Sequence, residues 1–218
     1  NAFLILDTSY TKGYKNTSAT KTKGPRNHIF AELDFDFGQD QSYESKLSLK
    51  AQRTSNDTYF KIHDINTALV DSENINLENQ FSYNFSKDNT YLNFSGTAYE
   101  DLSKTNNAKY EYIAPDILFG KYFFTEKFGT LNFESNASYK NYDVSKHLNM
   151  FTNDITWNSF SKITNKGWVN SFGGMITNTN YNATNTTDYK TAATVNELSG
   201  VLNFKSSLPM KKESNDYL

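Results

Sequence analysis

The sequence predicts an all-β fold, an antiparallel up-and-down meander of about ten long strands that forms part of a large transmembrane β-barrel. Three observations predict it. Apolar and polar residues alternate over runs of about ten residues, whereas strands of soluble sheets usually stop at roughly five or six. The 218 residues include 15 Tyr and 17 Phe but only 3 Pro, a composition that suits long uninterrupted strands. Connectors between the runs alternate long and short, which gathers the tight turns on one side, as in outer-membrane barrels.

The runs follow in order. Residues 2–11 form a first, weakly alternating segment. Over 29–37, Ile29, Ala31, Leu33, Phe35 and Phe37 face one way, and His28, Phe30, Glu32, Asp34 and Asp36 the other. Tyr43, Leu47, Leu49 and Ala51 then alternate with Glu44, Lys46, Ser48, Lys50 and Gln52. Ile75, Leu77, Phe81, Tyr83 and Phe85 alternate with Asn76, Glu78, Gln80, Ser82 and Asn84. Leu92, Phe94, Gly96 and Ala98 alternate with Asn93, Ser95, Thr97 and Tyr99. Leu131, Phe133, Ala137 and Tyr139 alternate with Asn132, Glu134, Asn136 and Ser138, and Leu198, Leu202 and Phe204 with Ser199, Val201 and Asn203. Weaker segments at 110–119, 148–157 and 168–178 fill the gaps. The connectors are 13–26, 38–42, 55–73, 87–89, 101–109, 125–128 and 141–147, the last two contrasting less in length.

Two hairpins can be registered. A two-residue turn at Asp88-Asn89, residue types that tolerate positive φ, pairs Phe85 with Leu92 and lays Phe81 over Gly96. Its polar partners are Asn84 with Asn93, Ser82 with Ser95 and Gln80 with Thr97; a one-residue slip would mix the faces. In the preceding hairpin, pairing Leu33 with Leu47 places Asp34 opposite Lys46.

Leu33, Phe35, Leu49, Phe81, Phe94, Phe133 and Leu202 are therefore the candidates for facing lipid. Glu32, Asp34, Asp36, Lys46, Lys50, Gln80, Asn84, Asn93 and Ser95 are the candidates for facing the lumen. Tyr10, Tyr43, Phe85, Tyr91, Tyr110, Tyr139, Tyr142, Trp157, Trp168 and Tyr181 fall near strand ends, where amphipathic rings would form interfacial girdles.

Bulk properties exclude several classes. A net charge of -2 offers no basic surface for nucleic acid. The absence of cysteine removes disulfides and thiolate metal sites from this segment. Mean hydropathy is -0.71, and no run approaches the roughly 18 apolar residues of a membrane helix; a barrel strand needs only one apolar face. His28, His63 and His147 lie far apart without metal-ligand spacing. Asp64, Asp71 and Glu73 share a long connector but lack the calcium-loop pattern. The Glu32, Asp34, Asp36 face could attract cations, or be a solvated wall neutralised by Lys46 and Lys50. No elbow, phosphate loop or paired-carboxylate motif is present, so neither catalytic residues nor a cofactor or metal is expected. N-x-S/T triplets, at Asn16 and Asn84 for example, follow from a chain rich in Asn, Ser and Thr.

Several stretches resemble one family. Thr54-Ser-Asn-Asp-Thr-Tyr-Phe-Lys-Ile-His-Asp64 is similar to a loop of the LptD family, also called OstA or organic solvent tolerance protein, and Leu77-Glu-Asn-Gln-Phe-Ser-Tyr83 to the strand that follows. Tyr110-Glu-Tyr-Ile-Ala-Pro-Asp-Ile-Leu-Phe119 with Phe128-Gly-Thr-Leu-Asn-Phe133 matches best: a proline-containing strand, a short turn, and Gly-x-Leu opening the next strand. Val195-Asn-Glu-Leu-Ser-Gly-Val201 resembles a later strand start. The motifs are short, and their order along most of the chain carries the likeness. The resemblance implies insertion of lipopolysaccharide into the outer leaflet of a Gram-negative outer membrane, without bond chemistry. It implies contact with outer-membrane lipid, a plug lipoprotein (LptE-like) and a periplasmic bridge protein (LptA-like). Both chain ends are read as cuts, so that the segment supplies strands from the first half of such a barrel. A porin or other transporter barrel would share every physical feature and remains the alternative.

Overall fold

The structure is a computed structural model and describes residues 1–14, 23–38, 42–71, 73, 75–191 and 193–210. Its strands are β1 (Ala2–Tyr14), β2 (Lys23–Asp36), β3 (Tyr43–Thr54), β4 (Asn76–Lys87), β5 (Thr90–Asp101), β6 (Tyr110–Thr125), β7 (Gly129–Tyr142), β8 (Lys146–Asn158), β9 (Lys162–Ile163), β10 (Val169–Thr184) and β11 (Val195–Ser207). All pair antiparallel in one sheet, in the order β1-β2-β3-β4-β5-β6-β7-β8-β10-β11, with β9 beside β10. A short helix, α1 (Tyr59–His63), and a 3-10 turn (Asn106–Lys109) are the helical elements among the described residues.

The expected meander is present, with β9 the addition. Ten of its strands are long, 12 to 16 residues. Ladders run further than alternation indicates, because a strand's polar flank pairs as readily as its apolar middle. Thus β1 and β2 remain paired to Tyr14↔Lys23, inside the expected connector 13–26. The expected 141–147 connector contracts to 143–145, where Asp143 and Ser145 adopt φ of 48° and 59°.

The Asp88-Asn89 hairpin has the expected register throughout, Phe81↔Gly96 and Asn84↔Asn93 included, with Asp88 at φ 50°. The β2–β3 hairpin differs. Leu33 pairs with Leu49 and Phe35 with Leu47, so Asp36, not Asp34, stands opposite Lys46. That is a two-residue offset, which changes partners but keeps every side chain on its face.

At the end where the chain starts, the connectors are 37–42, 88–89, 126–128 and 159–168; the other end carries 55–75, 102–109, 143–145 and 185–194. Short and long segregate over the first half. The three residues at 143–145 and the ten at 159–168, which contain β9, break the pattern.

Two irregularities matter. At Ala114-Pro115 a bulge sets two residues of β6 against one on each neighbour, Gly96 and Tyr139. A side chain at Gly96 would meet the Ala114 methyl at 3.2 Å, so the glycine makes room for the bulge. Gly129 opens β7 at φ 91°, where a Cβ would lie 2.0 Å from the Asn158 carbonyl. The bulge thus falls in the proline-containing strand, and the positive-φ glycine is the first residue of Gly129-Thr130-Leu131.

Candidate functional site

The two faces of the sheet differ. Register aligns Leu4, Leu33, Leu49, Phe81 and Gly96 across β1–β5. A neighbouring row aligns Phe35, Leu47, Tyr83, Phe94, Ile117, Ala137 and Phe151. Among the described residues no second layer of structure covers this face: Phe81 is 37% exposed and Leu202 87%. Phe133 and Leu33 are half-buried. Each Leu or Phe left in water forgoes about 1.5–3 kcal/mol. Over so many side chains the loss would exceed the 5–15 kcal/mol or so that typically holds a domain together. This face requires a covering.

The apolar band does not follow the hydrogen-bonded rows. The row through Leu33 and Phe81 has become polar at Asn149 and Asn182. Conversely, the row that starts with Thr90 and Lys121 becomes Phe133, Ile155, Ile176 and Gly200. By β11 the band centres near Leu202, a member of the row of Trp157 and Gly174. Across the sheet it climbs on the order of one residue per strand. With a rise of about 3.3 Å per residue and strands about 4.8 Å apart, a level band then needs strands tilted by about 35°.

The opposite face is polar. Lys46 Nζ donates to Asp34 at 3.0 Å, diagonally across the corrected register. Lys50 pairs with Glu78 at 2.8 Å and lies 3.9 Å from Glu32. Asn93 donates to Asn84 at 2.6 Å. Towards β10, neutral donors serve the acids: Tyr91 Oη donates to Glu134 and Thr177 Oγ1 to Asp154, both at 2.5 Å. Tyr91 reaches Glu134 across Gly120, where a Cβ would fall 2.0 Å from the tyrosine ring. Asp36, Gln80 and Ser95 belong to the same face by register. So do Tyr91, Tyr142 and Tyr181, which removes these three from any girdle on the apolar side.

A third feature had no local signal. β3 and β4 pair only as far as Lys50↔Gln80, while β2–β3 continues to Thr54 and β4–β5 to Asn76. Gln52 bridges the split. Its backbone N–H donates to Asn79 Oδ1 at 2.9 Å, its Oε1 accepts from the Glu78 N–H at 2.8 Å, and its Nε2 donates to the Leu69 carbonyl at 3.2 Å. The described residues of 55–75 fold into this gap as a cap. Phe30, Phe60, Val70 and Leu77 form its core, with Ile65, Leu69 and Leu102 against it. Phe30 and Leu77 are both fully buried. Alternation had assigned Leu77 to the Phe81 side and Phe30 to a solvated wall; the cap covers both. Asp64 closes α1 in the left-handed region, and Asp71 Oδ1 accepts from the Glu73 N–H. Lys109 pins the cap to the sheet through Asp57 at 3.3 Å and Glu100 at 2.6 Å.

Beside the cap, Ser9, His28 and Asp7 come together although nothing in their spacing groups them. Ser9 Oγ is 3.0 Å from His28 Nδ1, and His28 Nε2 is 3.3 Å from Asp7. That is the order of a nucleophile, base and orienting acid. The Tyr59 hydroxyl, however, lies 2.8 Å from Ser9 Oγ and 3.1 Å from the same Nδ1. His28, itself buried, stacks on Phe30 at 4.5 Å. The group clasps α1 to β1 and β2. The paired aromatics Tyr59-Phe60 in a polar connector were its one sequence trace.

The cap carries a pH dependence. Burial, with the nearby charges of Arg26 and His28, holds the His63 imidazole below its usual 6.5. The folded cap therefore resists a proton that the opened segment accepts. Its stability is complete above pH 6.5 and falls as pH drops below that value. Protection factors over 59–63, which allow for the slower intrinsic exchange at low pH, should fall between pH 7 and 5, and His63→Gln should flatten the change.

No protein-family model matches the chain, and no curated protein matches it.

Proposed function

We propose that the chain forms part of the wall of an outer-membrane β-barrel that inserts lipopolysaccharide into the outer leaflet. The observation that supports a barrel wall is the uncovered apolar band climbing about one residue per strand, the stagger a closed, tilted barrel needs. In that reading Leu33, Phe35, Leu49, Phe81, Phe94, Phe133 and Leu202 face lipid. Glu32, Asp34, Asp36, Lys46, Lys50, Gln80, Asn84, Asn93 and Ser95 face the lumen. The end where the chain starts, with its tight turns, is periplasmic, and the cap over 55–75 is external.

The lipopolysaccharide role rests on the ordered short motifs, supported by the bulged proline strand and the positive-φ glycine that opens β7. It carries with it the plug lipoprotein and the periplasmic bridge protein as partners, and it assigns no bond chemistry to the chain. Depleting the protein in its Gram-negative host should lower surface lipopolysaccharide and raise sensitivity to hydrophobic antibiotics. Unchanged surface lipopolysaccharide with impaired uptake of small solutes would replace this role with that of a porin.

A further inference from the structure

The connector 159–168 departs from the tight turns at its end of the sheet. Ile163 pairs with Val169 and Lys162 with Asn170, closing a hairpin that projects beyond β8. Its tip is fixed by Thr164: the carbonyl accepts from the Gly167 N–H at 2.9 Å and the N–H donates to the Trp168 carbonyl at 2.8 Å. Gly167, at φ 81°, supplies the turn. The hairpin and the sheet enclose an open groove of about 790 Å³, within the range of small-molecule sites.

The lining is amphipathic. Ile163, Trp168, Phe172 and Phe204 form its apolar part, with Phe172 and Phe204 in ring contact at 4.9 Å. Trp168 is 43% and Phe204 58% exposed. Phe172 and Phe204 pair across β10 and β11 in the apolar band, so that band runs directly into the groove. Lys162 and Lys166 form its charged part, and the neutral Thr164, Asn165 and Asn170 complete the lining. Neither lysine has an ion-pair partner among the described residues. The sequence holds no Asp or Glu between Asp154 and Asp188, nor between Glu197 and Met210. The groove therefore offers rings, two cations and no carboxylate.

We infer that this groove binds an anionic glycerophospholipid, an acyl chain lying on Trp168, Phe172 and Phe204 and the phosphate held by Lys162 and Lys166. A neutral hydrocarbon would leave the cations unmatched, and a free anion would leave the rings in water; an anionic lipid satisfies both. The inference rests on the barrel-wall reading, which sets this end of the band at the periplasmic leaflet.

The test uses the full chain in nanodiscs. Trp168 is one of two tryptophans, so Trp157→Phe makes it the sole reporter. Its quenching is compared between brominated-acyl phosphatidylglycerol and brominated-acyl phosphatidylcholine, each diluted equally into unlabelled phosphatidylcholine. We expect about five-fold or more local enrichment of the anionic lipid, the scale of one lysine's attraction to an anionic headgroup. Lys162→Gln with Lys166→Gln should reduce it to the phosphatidylcholine level without shifting Trp168 emission in unlabelled lipid. Trp157 alone, in Trp168→Phe, should show no preference. Lipid retained by the otherwise unaltered protein in native mass spectrometry gives a second measure that does not depend on Trp157→Phe folding. Equal quenching by the two lipids would reduce the groove to an ordinary aromatic belt and overturn the proposal. No quenching by either would overturn the barrel-wall reading itself.

Discussion

Replacing Phe30 with alanine should cost about 3–5 kcal/mol, the usual loss for a fully buried aromatic ring. Phe30 has no exposed surface, stacks on His28 at 4.5 Å and on Phe60 at 5.6 Å, and forms the floor on which the cap rests. Removing the ring opens a cavity beneath Val70 and Leu77 and takes away the surface that holds the His28 imidazole against Tyr59. Equilibrium unfolding in urea, after refolding into detergent micelles or vesicles, should show a lower midpoint. Hydrogen exchange should rise first over 55–75 and only weakly over β7–β10. A loss under about 1 kcal/mol would mean that the cap is held from elsewhere, through Lys109 and Gln52.

Phe81→Lys should cost about 2–4 kcal/mol in a bilayer, the depth-dependent penalty for a lysine on the lipid face of a barrel. Phe81 lies at the middle of the apolar band, over Gly96 and against Phe94 at 5.6 Å. Ser82→Lys, one residue along and on the polar face between Ser48 and Ser95, is the control and should stay within about 1 kcal/mol. The same pair of substitutions measured in detergent should differ less, because micelles admit water to a lysine more easily than a bilayer does. A Phe81→Lys loss under about half a kcal/mol would argue that something other than hydrocarbon covers this face.

Legibility in the sequence followed the range of the interactions. The Asp88-Asn89 hairpin was readable to the last pair because a two-residue turn leaves one register that keeps Phe81, Tyr83 and Phe85 on a common face. The β2–β3 hairpin was readable only as to faces. Its six-residue connector permits registers two apart, and both bury the same side chains. The cap was hidden, since Ser9 and His28 meet Tyr59, and Gln52 meets Leu69, only after three strands have paired. Leu77 misled for the same reason: alternation tells which side a residue takes, and a cap can fold over either side. The climbing band lay beyond any single segment, because it emerges only when ten strands are set in register. The Lys162–Trp168 groove depends on a two-residue strand too short for periodicity to reveal.

The split bridged by Gln52 has a consequence for how this region can diverge. Because the β3–β4 ladder stops at Lys50↔Gln80 and side-chain amides finish the seam, residues 55–75 are anchored at their base but set no alignment between the two strands. Insertions or deletions in that segment would leave the sheet's geometry intact, so the segment is free to diverge in length and surface chemistry while the ladder beneath stays the same.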